Sequence, residues 1–452
     1  MTHIDANGGW MPLTMPQLDF WEEFSFHPDK PVSTVAHCLN IEGDVDGDAL
    51  TKAISETIRE SEVLSVRFRQ EAQGGDPLQC FDASRTPVIT HIDLRDSADP
   101  LAEAKTLMEA DIHAKLDLRT DRLSAQSLFR IGEKRYLWYI RAHHIIVDGY
   151  GLTLIEQRCG QLYNHFRGRG EAGKPFHSFA SFLAEEQAYS TSRRWEADRA
   201  FWTQYLDASG DLPVLYRGDE DYGAPGLHHH HELSASFCGK LRETAVAVEI
   251  GWPDLLVLFA GLYLYNILPR QPTGDREVLT IWLPFMSRWG SIGAYVPAML
   301  VNILPFQLAL DPQETLRAAL ARNAGILRKQ RLHGRYRIEQ MAEDKGVAKG
   351  SRFFFSPLVN VLPFNAPEFK GCRVTRHILA SGPGDGFNLT FRGEDDGRRL
   401  TLYVDADPSM TGQDEFNRHK RDLPAFLDHC LSPDAMERPA GALWSRFAQV
   451  SR

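Results

Sequence analysis

Two adjacent histidines, followed by an aspartate and a glycine, are the residues of this chain best suited to chemistry. They lie in the segment Arg141–Tyr150, which reads Arg-Ala-His-His-Ile-Ile-Val-Asp-Gly-Tyr. An imidazole titrates near neutral pH, so it can accept a proton from an attacking amine. A nearby carboxylate and a backbone N–H at the glycine could serve the same reaction. The segment therefore predicts proton-transfer chemistry centred on one imidazole.

The elements around this segment predict that its two histidines differ in role. Tyr136–Ile140 is aromatic and apolar, which is typical of a buried strand. Successive strand side chains point to opposite faces, so His143 and His144 cannot both enter one cavity while they stay on the strand. We expect one to be structural and the other to be placed for chemistry. The same geometry argues against a metal site made from the two histidines and Asp148.

Two residues that follow the predicted strand indicate a turn that leads into a helix. Asp148 and Gly149 are typical of a turn with backbone freedom. The spacing of Leu154, Ile155 and Leu162 then predicts a helix that begins near Gly151. From the residues alone, Asp148 could be a second base, a metal ligand or a structural anion.

The order His-His-x-x-x-Asp-Gly resembles the signature of the condensation domains of nonribosomal peptide synthesis, a superfamily related to chloramphenicol acetyltransferase. Further similar segments follow in order and extend the resemblance over nearly the whole chain. They are Gly251–Asp254, Trp282–Gly290, Val301–Asn302, Leu332–Gln340, Ser356–Phe364, Leu379–Gly382 and Phe387–Gly393. Within the family, these segments are similar to the free-standing amide-synthase type known from vibriobactin biosynthesis.

The resemblance implies a role for each residue of the motif. His144 would be the catalytic imidazole, which either removes a proton from the amine or only positions the amine. His143 would be a structural group. The resemblance makes Asp148 a structural anion paired with Arg288 across the two halves of the chain. For Gly149 we expect a catalytic N–H that faces the thioester oxygen.

Five further residues are predicted to bind substrate. Trp289 and Asn360 occupy positions that the resemblance places on a tunnel lining, and Tyr150, Ser381 and Gly382 are weaker candidates. The face of Trp289 could attract an ammonium group, and Asn360 offers both a donor and an acceptor. Core packing or a capped strand end is the alternative for both residues.

The mixture of predicted helices and strands follows no strict βαβ repeat, which favours an α+β fold. The resemblance implies two acetyltransferase-like lobes, at residues 1–172 and 173–452, that form a V-shaped pseudo-dimer with a tunnel between them. Gly168–Pro175 is the clearest break. This segment also reads Gly-x-Gly-x-x-Gly, but a helix precedes it and Pro175 follows, so we do not expect a dinucleotide site.

The residue pattern predicts most elements of both halves. The predicted helices are Leu13–Phe26, Asp46–Glu60, Leu101–Lys115, Phe179–Glu186, Arg194–Tyr205, Leu241–Leu268 with a break near Gly251–Pro253, Thr315–Gln330 and Asp414–Cys430. The predicted strands are Val35–Ile41, Val63–Phe68, Val278–Pro284, Val301–Leu308, Leu358–Leu362, Phe387–Phe391 and Leu400–Val404.

Composition excludes several classes of protein. The net charge of −10 and the lack of a basic run with interleaved aromatics argue against a nucleic-acid partner. The six scattered cysteines are typical of reduced thiols, residues 1–6 do not look like a signal peptide, and no apolar stretch is long enough to span a membrane. We therefore expect a cytoplasmic protein.

A run of four histidines, His228–His231, could bind zinc or nickel. No cysteine lies nearby, and the run follows a segment rich in glycine and proline. We therefore expect a solvent-facing loop and no metal site. No Gly-x-Ser-x-Gly elbow, Walker A motif or Gly-Gly-x-Ser carrier motif occurs in the sequence.

The function implied by the resemblance is amide formation in catecholate siderophore synthesis. The donor would be an aryl group such as 2,3-dihydroxybenzoyl, carried as a thioester on the 4'-phosphopantetheine arm of a separate aryl carrier protein. The acceptor would be a small soluble polyamine, and the enzyme itself, a monomer, would bind no cofactor. One alternative is a condensation domain excised from a larger synthetase with an aminoacyl-carrier acceptor. Another is an inactive docking platform.

Overall fold

The chain folds into two compact units, each built from segments that are distant in sequence. The computed structural model describes residues 9–70, 75–220, 226–273, 276–382 and 384–444, so the prediction about residues 1–6 falls outside the described residues. Unit 1 takes the described parts of Met1–Ser192, Met286–Val301 and Ala366–Pro383. Unit 2 takes those of Arg193–Phe285, Asn302–Asn365 and Gly384–Arg452.

These units differ from the predicted lobes at 1–172 and 173–452. Residues 173–192, 286–301 and 366–383 lie in unit 1, although they follow the predicted boundary. Phe179 and Leu300 of these segments share a small core with Val63, and Cys372–Ser381 pairs as a strand with residues 35–43. The mixed α+β class is as predicted, while the V-shaped arrangement and the tunnel stay predictions.

Helices and strands alternate irregularly along the described chain. The helices are α1 Met15–Phe26, α2 Gly47–Glu60, α3 Pro100–Ile112, α4 Gly149–Phe166, α5 Phe179–Ser190, α6 Arg193–Asp207, α7 Ala235–Ala247, α8 Trp252–Ile267, α9 Leu316–Leu332, α10 Ile338–Asp344, α11 Gln413–Cys430 and α12 Ala440–Trp444. The strands are β1 Met11–Pro12, β2 Thr34–Gly43, β3 Val66–Arg69, β4 Leu78–Phe81, β5 Ile89–Asp93, β6 Ser124–Gly132, β7 Arg135–His143, β8 Val214–Tyr216, β9 Leu227–Leu233, β10 Gln271–Thr273, β11 Arg276–Phe285, β12 Asn302–Ala309, β13 Ser351–Phe353, β14 Leu358–Pro363, β15 Cys372–Ser381, β16 Phe387–Gly393 and β17 Leu400–Ala406.

Unit 1 is organised around a five-stranded sheet in the order β15-β2-β7-β6-β5. The central strand β7 is buried on both faces, which explains its nearly continuous apolar and aromatic sequence. Leu39, Trp138 and Ile140 pack on the face covered by α2 and α4, whereas Leu137 and Tyr139 pack on the face covered by α3. The sheet therefore fixes the end of β7, where the two histidines lie.

Unit 2 contains a seven-stranded sheet in the order β10-β11-β14-β16-β17-β9, with β12 paired to β11. Its main core lies under α7, α8, α9 and α11, and a smaller one, with Trp202 and Trp282, lies by α6 and α10. Helix α8 is apolar on nearly every side and correspondingly buried. No single helix among the described residues is long and apolar enough to span a membrane. The pair α7 and α8 would be, but it bends by 103° at its break.

Most predicted elements are confirmed, and the differences have local causes. The break near Gly251 is confirmed, since Pro253 lies in the first turn of α8. The strand predicted at Val63–Phe68 is wrong in its first half, because Glu62–Ser65 forms a 3₁₀ turn before β3. The loop predicted at His228–His231 is also wrong, because the run pairs with β17 as edge strand β9.

Strand β15 comes from late in the sequence but pairs with β2 of the first sheet. A buried charged cluster attaches it there. The carboxylate of Glu156, on α4, lies 2.6 Å from Nδ1 of His37 on β2 and accepts a 2.6 Å hydrogen bond from Nε of Arg376 on β15. Burial alone would raise the pKa of Glu156, but Arg376 and His37 outweigh it and hold that pKa below its usual range.

We predict that Glu156→Gln destabilises the protein by about 3–5 kcal/mol, because it leaves Arg376, whose side chain is 11% exposed, without its counter-charge. Urea unfolding at pH 7 measures the change, and Glu109→Gln on the exposed face of α3 is the control. The folded-state pKa of Glu156 is depressed, so its contribution is present above its unfolded pKa of about 4.3 and is lost as the pH falls below it. Equal stability of both variants at pH 7 would contradict the assignment.

Candidate active site

The two histidines leave the sheet in different directions at the end of β7. His143 is the last residue of the strand, and its N–H donates to the carbonyl of Leu123. His144 begins a turn, and its N–H donates over 2.7 Å to the carbonyl of Ser33, at the start of β2. His143 is buried, whereas the side chain of His144 stays partly exposed. The imidazole of His144 is thus the one open to a substrate.

His143 is buried and neutral. Its Nδ1 accepts a 3.1 Å hydrogen bond from the N–H of Ile145, which places its proton on Nε2. Burial, together with the nearby His144 and Arg141, lowers the pKa of His143 to about 3. The ring therefore carries no charge at neutral pH and holds the turn that presents His144.

His144 is oriented with one ring nitrogen buried. Nδ1 is inaccessible and meets no partner of normal hydrogen-bond geometry among the described residues. Burial lowers the pKa of His144, and the charge of Asp148 and the carbonyls of His144 itself and Val147 oppose that shift. Because Nδ1 is inaccessible, Nε2 is the ring nitrogen that can meet a substrate, and we assign the lone pair to Nε2. A neutral imidazole of this kind can accept a proton at neutral pH.

Asp148 is the most heavily bonded side chain of the site. One carboxylate oxygen accepts from the N–H of Gly151 at 2.7 Å, which makes Asp148 the N-cap of α4. The other accepts from the N–H groups of Leu300 and Val301 at 2.9 and 3.0 Å. Nη2 of Arg288 lies 2.9 and 2.8 Å from the two oxygens. Donors therefore surround both oxygens of this carboxylate, which suits the predicted structural role, and that role stays a prediction.

Arg288 is present as the partner predicted for Asp148, but both residues lie in unit 1 and do not join different halves. Its side chain is 1% exposed and donates to the carbonyls of Gly293, Val296 and Ala298. The backbone on either side is left-handed, with φ of +52° at Ser287 and +70° at Gly290. The segment 286–301 is therefore wrapped around the guanidinium group.

The glycine of the motif does not have the predicted backbone freedom. Gly149 is the first residue of α4, and its φ is not positive. An added Cβ would meet none of the described atoms within 4 Å. Its N–H belongs to the first turn of α4, at the positive end of the helix dipole, where the helix itself provides no acceptor. The fold thus tolerates a side chain here, and the space where a Cβ would lie is open.

The structure places the predicted substrate-binding residues in different surroundings. Tyr150 lies on the first turn of α4, with the guanidinium of Arg288 5.1 Å from its ring centre. Trp289 is 66% exposed next to the buried Arg288. Ser381 is exposed near the end of β15. Asn360 belongs to unit 2, on β14 beside Thr390 of β16. The first three lie in unit 1 with the motif, and their roles stay predictions.

Two further residues lie beside His144: Phe20 was not predicted from the sequence, whereas Gly382 was one of the weaker candidates. The ring of Phe20, on α1, stacks on the imidazole with ring centres 5.2 Å apart and an angle of 16° between the planes. Gly382, just after β15, lies against the Cδ2 edge of the same ring. No sequence signal distinguishes Phe20 from the other aromatic residues of α1, and only the pairing of β15 brings Gly382 here.

The histidine run on β9 does not assemble a metal site. His228 is bonded through Nδ1 to Asp405 at 2.8 Å, and His230 packs by Tyr403. Side chains alternate between the two faces of a strand, so the four imidazoles do not converge. Within the described residues, no group of three or more metal-binding side chains is close enough to hold an ion.

The family comparison agrees with this geometry. The Condensation domain family matches residues 7–428, which include every element described for the site. The chain belongs to the condensation-domain family. The predicted recognition and the class of condensation enzyme in nonribosomal peptide synthesis are confirmed at this level.

The chain is similar in structure to VibH, described as a condensation enzyme of nonribosomal peptide synthesis. The two share 33% sequence identity with a TM-score of 0.85, over 95% of this chain and 100% of VibH. A dimodular nonribosomal peptide synthase of Bacillus subtilis is 30% identical over 94% of this chain, and enterobactin synthase component F of Escherichia coli is 28% identical over 93%. This condensation domain spans only 18% and 31% of those two proteins.

We predict that Arg288→Met destabilises this condensation domain by about 3–5 kcal/mol, because the Asp148 carboxylate stays buried without its counter-charge. Urea unfolding measures the loss. The double variant Asp148→Asn/Arg288→Met should lose less than the sum of the single losses. Arg95→Met removes an exposed ion pair of unit 1 and should change little. Additive losses in the double variant would show that the two side chains act independently.

Proposed function

We propose that this chain forms an amide bond between an aryl group, such as 2,3-dihydroxybenzoyl, and a soluble polyamine. The aryl group arrives as a thioester on the phosphopantetheine arm of an aryl carrier protein. The observation that carries the proposal is the partly exposed, neutral His144 beside the open first turn of α4. The resemblance to the amide-synthase type and the full-length similarity to VibH favour this donor and acceptor over others in the family.

The reaction needs one proton acceptor and one site for negative charge. The free amine attacks the thioester carbon, and its proton passes to Nε2 of His144 as the C–N bond forms. The carbonyl oxygen gains negative charge, which the N–H of Gly149 stabilises at the positive end of α4. The C–S bond then breaks, the sulfur takes the proton, and the carrier leaves as a free thiol. The thioester supplies the driving force.

The acceptor is a cation in solution and must present one neutral amine to the thioester. Trp289 offers an exposed indole face in unit 1, which can attract a second, charged amine of the same molecule by a cation–π interaction. Asn360 would orient the acceptor through its amide. The acidic net charge of the chain also favours a cationic substrate over an anionic one.

A second candidate is acylation of an amino acid held on another carrier. It is favoured by the similarity to enterobactin synthase component F and by the small share of the curated relatives that the chain spans. In that case the chain would act as one domain of a larger synthetase. The chemistry at His144 and Gly149 would be the same, and only the acceptor would differ.

We predict that the protein converts 2,3-dihydroxybenzoyl carrier and norspermidine or spermidine into a new amide detectable by mass spectrometry. His144→Ala should lower kcat/KM by about 10²–10⁴-fold, since a positioned base contributes that much. His91→Ala removes an exposed imidazole from β5 of the same unit and is the control. Acylation of a seryl carrier but of no polyamine would favour the second candidate. Full turnover by His144→Ala would exclude a catalytic role for this ring.

We predict that Gly149→Ala folds normally but lowers kcat/KM by about 10²-fold, because a methyl group would enter the space that the thioester must occupy. Thermal unfolding should show unchanged or higher stability, since alanine favours a helix over glycine by about 1 kcal/mol. Gly239→Ala on α7 is the matched control, as its added Cβ also meets none of the described atoms within 4 Å. Equal kinetics for the two variants would show that the space beside Gly149 is not used.

A further inference from the structure

The imidazole of His144 is held on one face by an aromatic ring from another element. Phe20 stacks on it nearly parallel, at 5.2 Å between ring centres, and also lies edge-on to His143 at 6.4 Å. Phe20 is on α1, which follows β1 and is separated from the motif by more than a hundred residues. A stacked ring restricts rotation about the Cβ–Cγ bond of the imidazole and keeps water from that face.

The same helix also supports the backbone of His144. Glu23, one turn after Phe20, is buried and accepts a hydrogen bond from the hydroxyl of Ser33. Ser33 has a left-handed backbone, with φ of +55°, and its carbonyl accepts the N–H of His144. A left-handed serine is unfavourable by itself and persists only where neighbouring contacts hold it. Helix α1 thus determines both where His144 sits and how its ring is turned.

Gly382 lies at the edge of the imidazole. Its N–H donates to the carbonyl of Thr34 at 3.0 Å, and its φ of +77° favours glycine. A Cβ at this position would lie 3.1 Å from Cδ2 of His144, closer than ordinary contact. A side chain at residue 382 would therefore crowd the imidazole, whereas glycine leaves room for it.

We infer that Phe20 is a positioning residue for His144, and that its ring keeps Nε2 of the imidazole aimed at the reacting amine. This inference rests on the proposed role of His144 as the proton acceptor. A catalytic group must be held within about 10–20° of its productive direction, and a partly exposed histidine at the end of a strand does not achieve that by its own hydrogen bonds. The role belongs to Phe20 because its ring stacks on the imidazole face.

The pKa of His144 gives a second measure of its contact with Phe20. The charged groups around the imidazole stay in place when residue 20 is changed. Asp148 is paired with Arg288, Arg141 of β7 with Asp111, and Glu23 of α1 is bonded to Ser33. His143 is neutral, and Asp19 and Glu22 complete the acidic residues near Phe20 on α1. None of these is altered by a change at residue 20. Loss of the stacked ring should admit water and move the pKa of His144 up, towards its ordinary value.

The test compares Phe20→Leu and Phe20→Tyr with Phe26→Leu, which changes an aromatic residue of α1 that is 51% exposed. We expect Phe20→Leu to lower kcat by about 10–10²-fold with little change in KM, and Phe20→Tyr to restore most of the rate. Ring NMR titration should show a higher pKa of His144 in Phe20→Leu only. Urea unfolding of each variant shows whether α1 stays folded.

The outcomes separate this inference from the proposed function. Unchanged kcat and unchanged His144 pKa in Phe20→Leu would overturn the positioning role while leaving amide formation intact. An equal loss in Phe26→Leu would also overturn it, because the effect would then belong to the whole helix. The NMR titration needs no substrate. If no donor and acceptor react but the pKa moves as expected, the proposed function fails, while the contact by which Phe20 keeps water from His144 stands.

Discussion

The site depends on the hydrogen bonds and the ion pair that the carboxylate of Asp148 makes. This carboxylate caps α4, binds two backbone N–H groups at the end of segment 286–301 and pairs with Arg288. One side chain therefore fixes the start of the helix that carries Gly149 and the path of a segment that is distant in sequence. Because a buried carboxylate without donors is strongly unfavourable, these elements can only form together.

The sequence predicted individual helices and strands better than the pairing between strands that are distant in sequence. Hydrophobic spacing located β7, α4 and the long apolar region of unit 2, because local periodicity follows directly from which face is buried. It missed β15, although Cys372–Ser381 alternates between exposed and partly buried residues as a strand should. The inward residues of β15 include polar ones, and their partner strand lies more than three hundred residues earlier, so no local signal could assign it.

For the candidate site too, the sequence predicted the motif residues but not all of their conformations and contacts. The motif residues and Arg288 were recognised from type, order and resemblance, and the structure brings them together in unit 1. The turn freedom expected at Gly149 was wrong, since a glycine that starts a helix and one that forms a turn are identical in sequence. Phe20 was missed because stacking on His144 depends on where α1 docks, and no residue of α1 encodes that partner.

The ion pair also explains how an aspartate could stand beside the thioester of the proposed reaction without opposing that reaction. A bare carboxylate at the start of α4 would repel the negative charge that develops on the oxygen. At an effective dielectric of about 20, a unit charge about 6 Å away contributes about 3 kcal/mol, enough to cancel the benefit of an N–H donor. With Arg288 in place, the negative charge is compensated and the dipole of α4 still favours an anion at Gly149. A residue with no contact to substrate can therefore be as necessary for the chemistry as the imidazole itself.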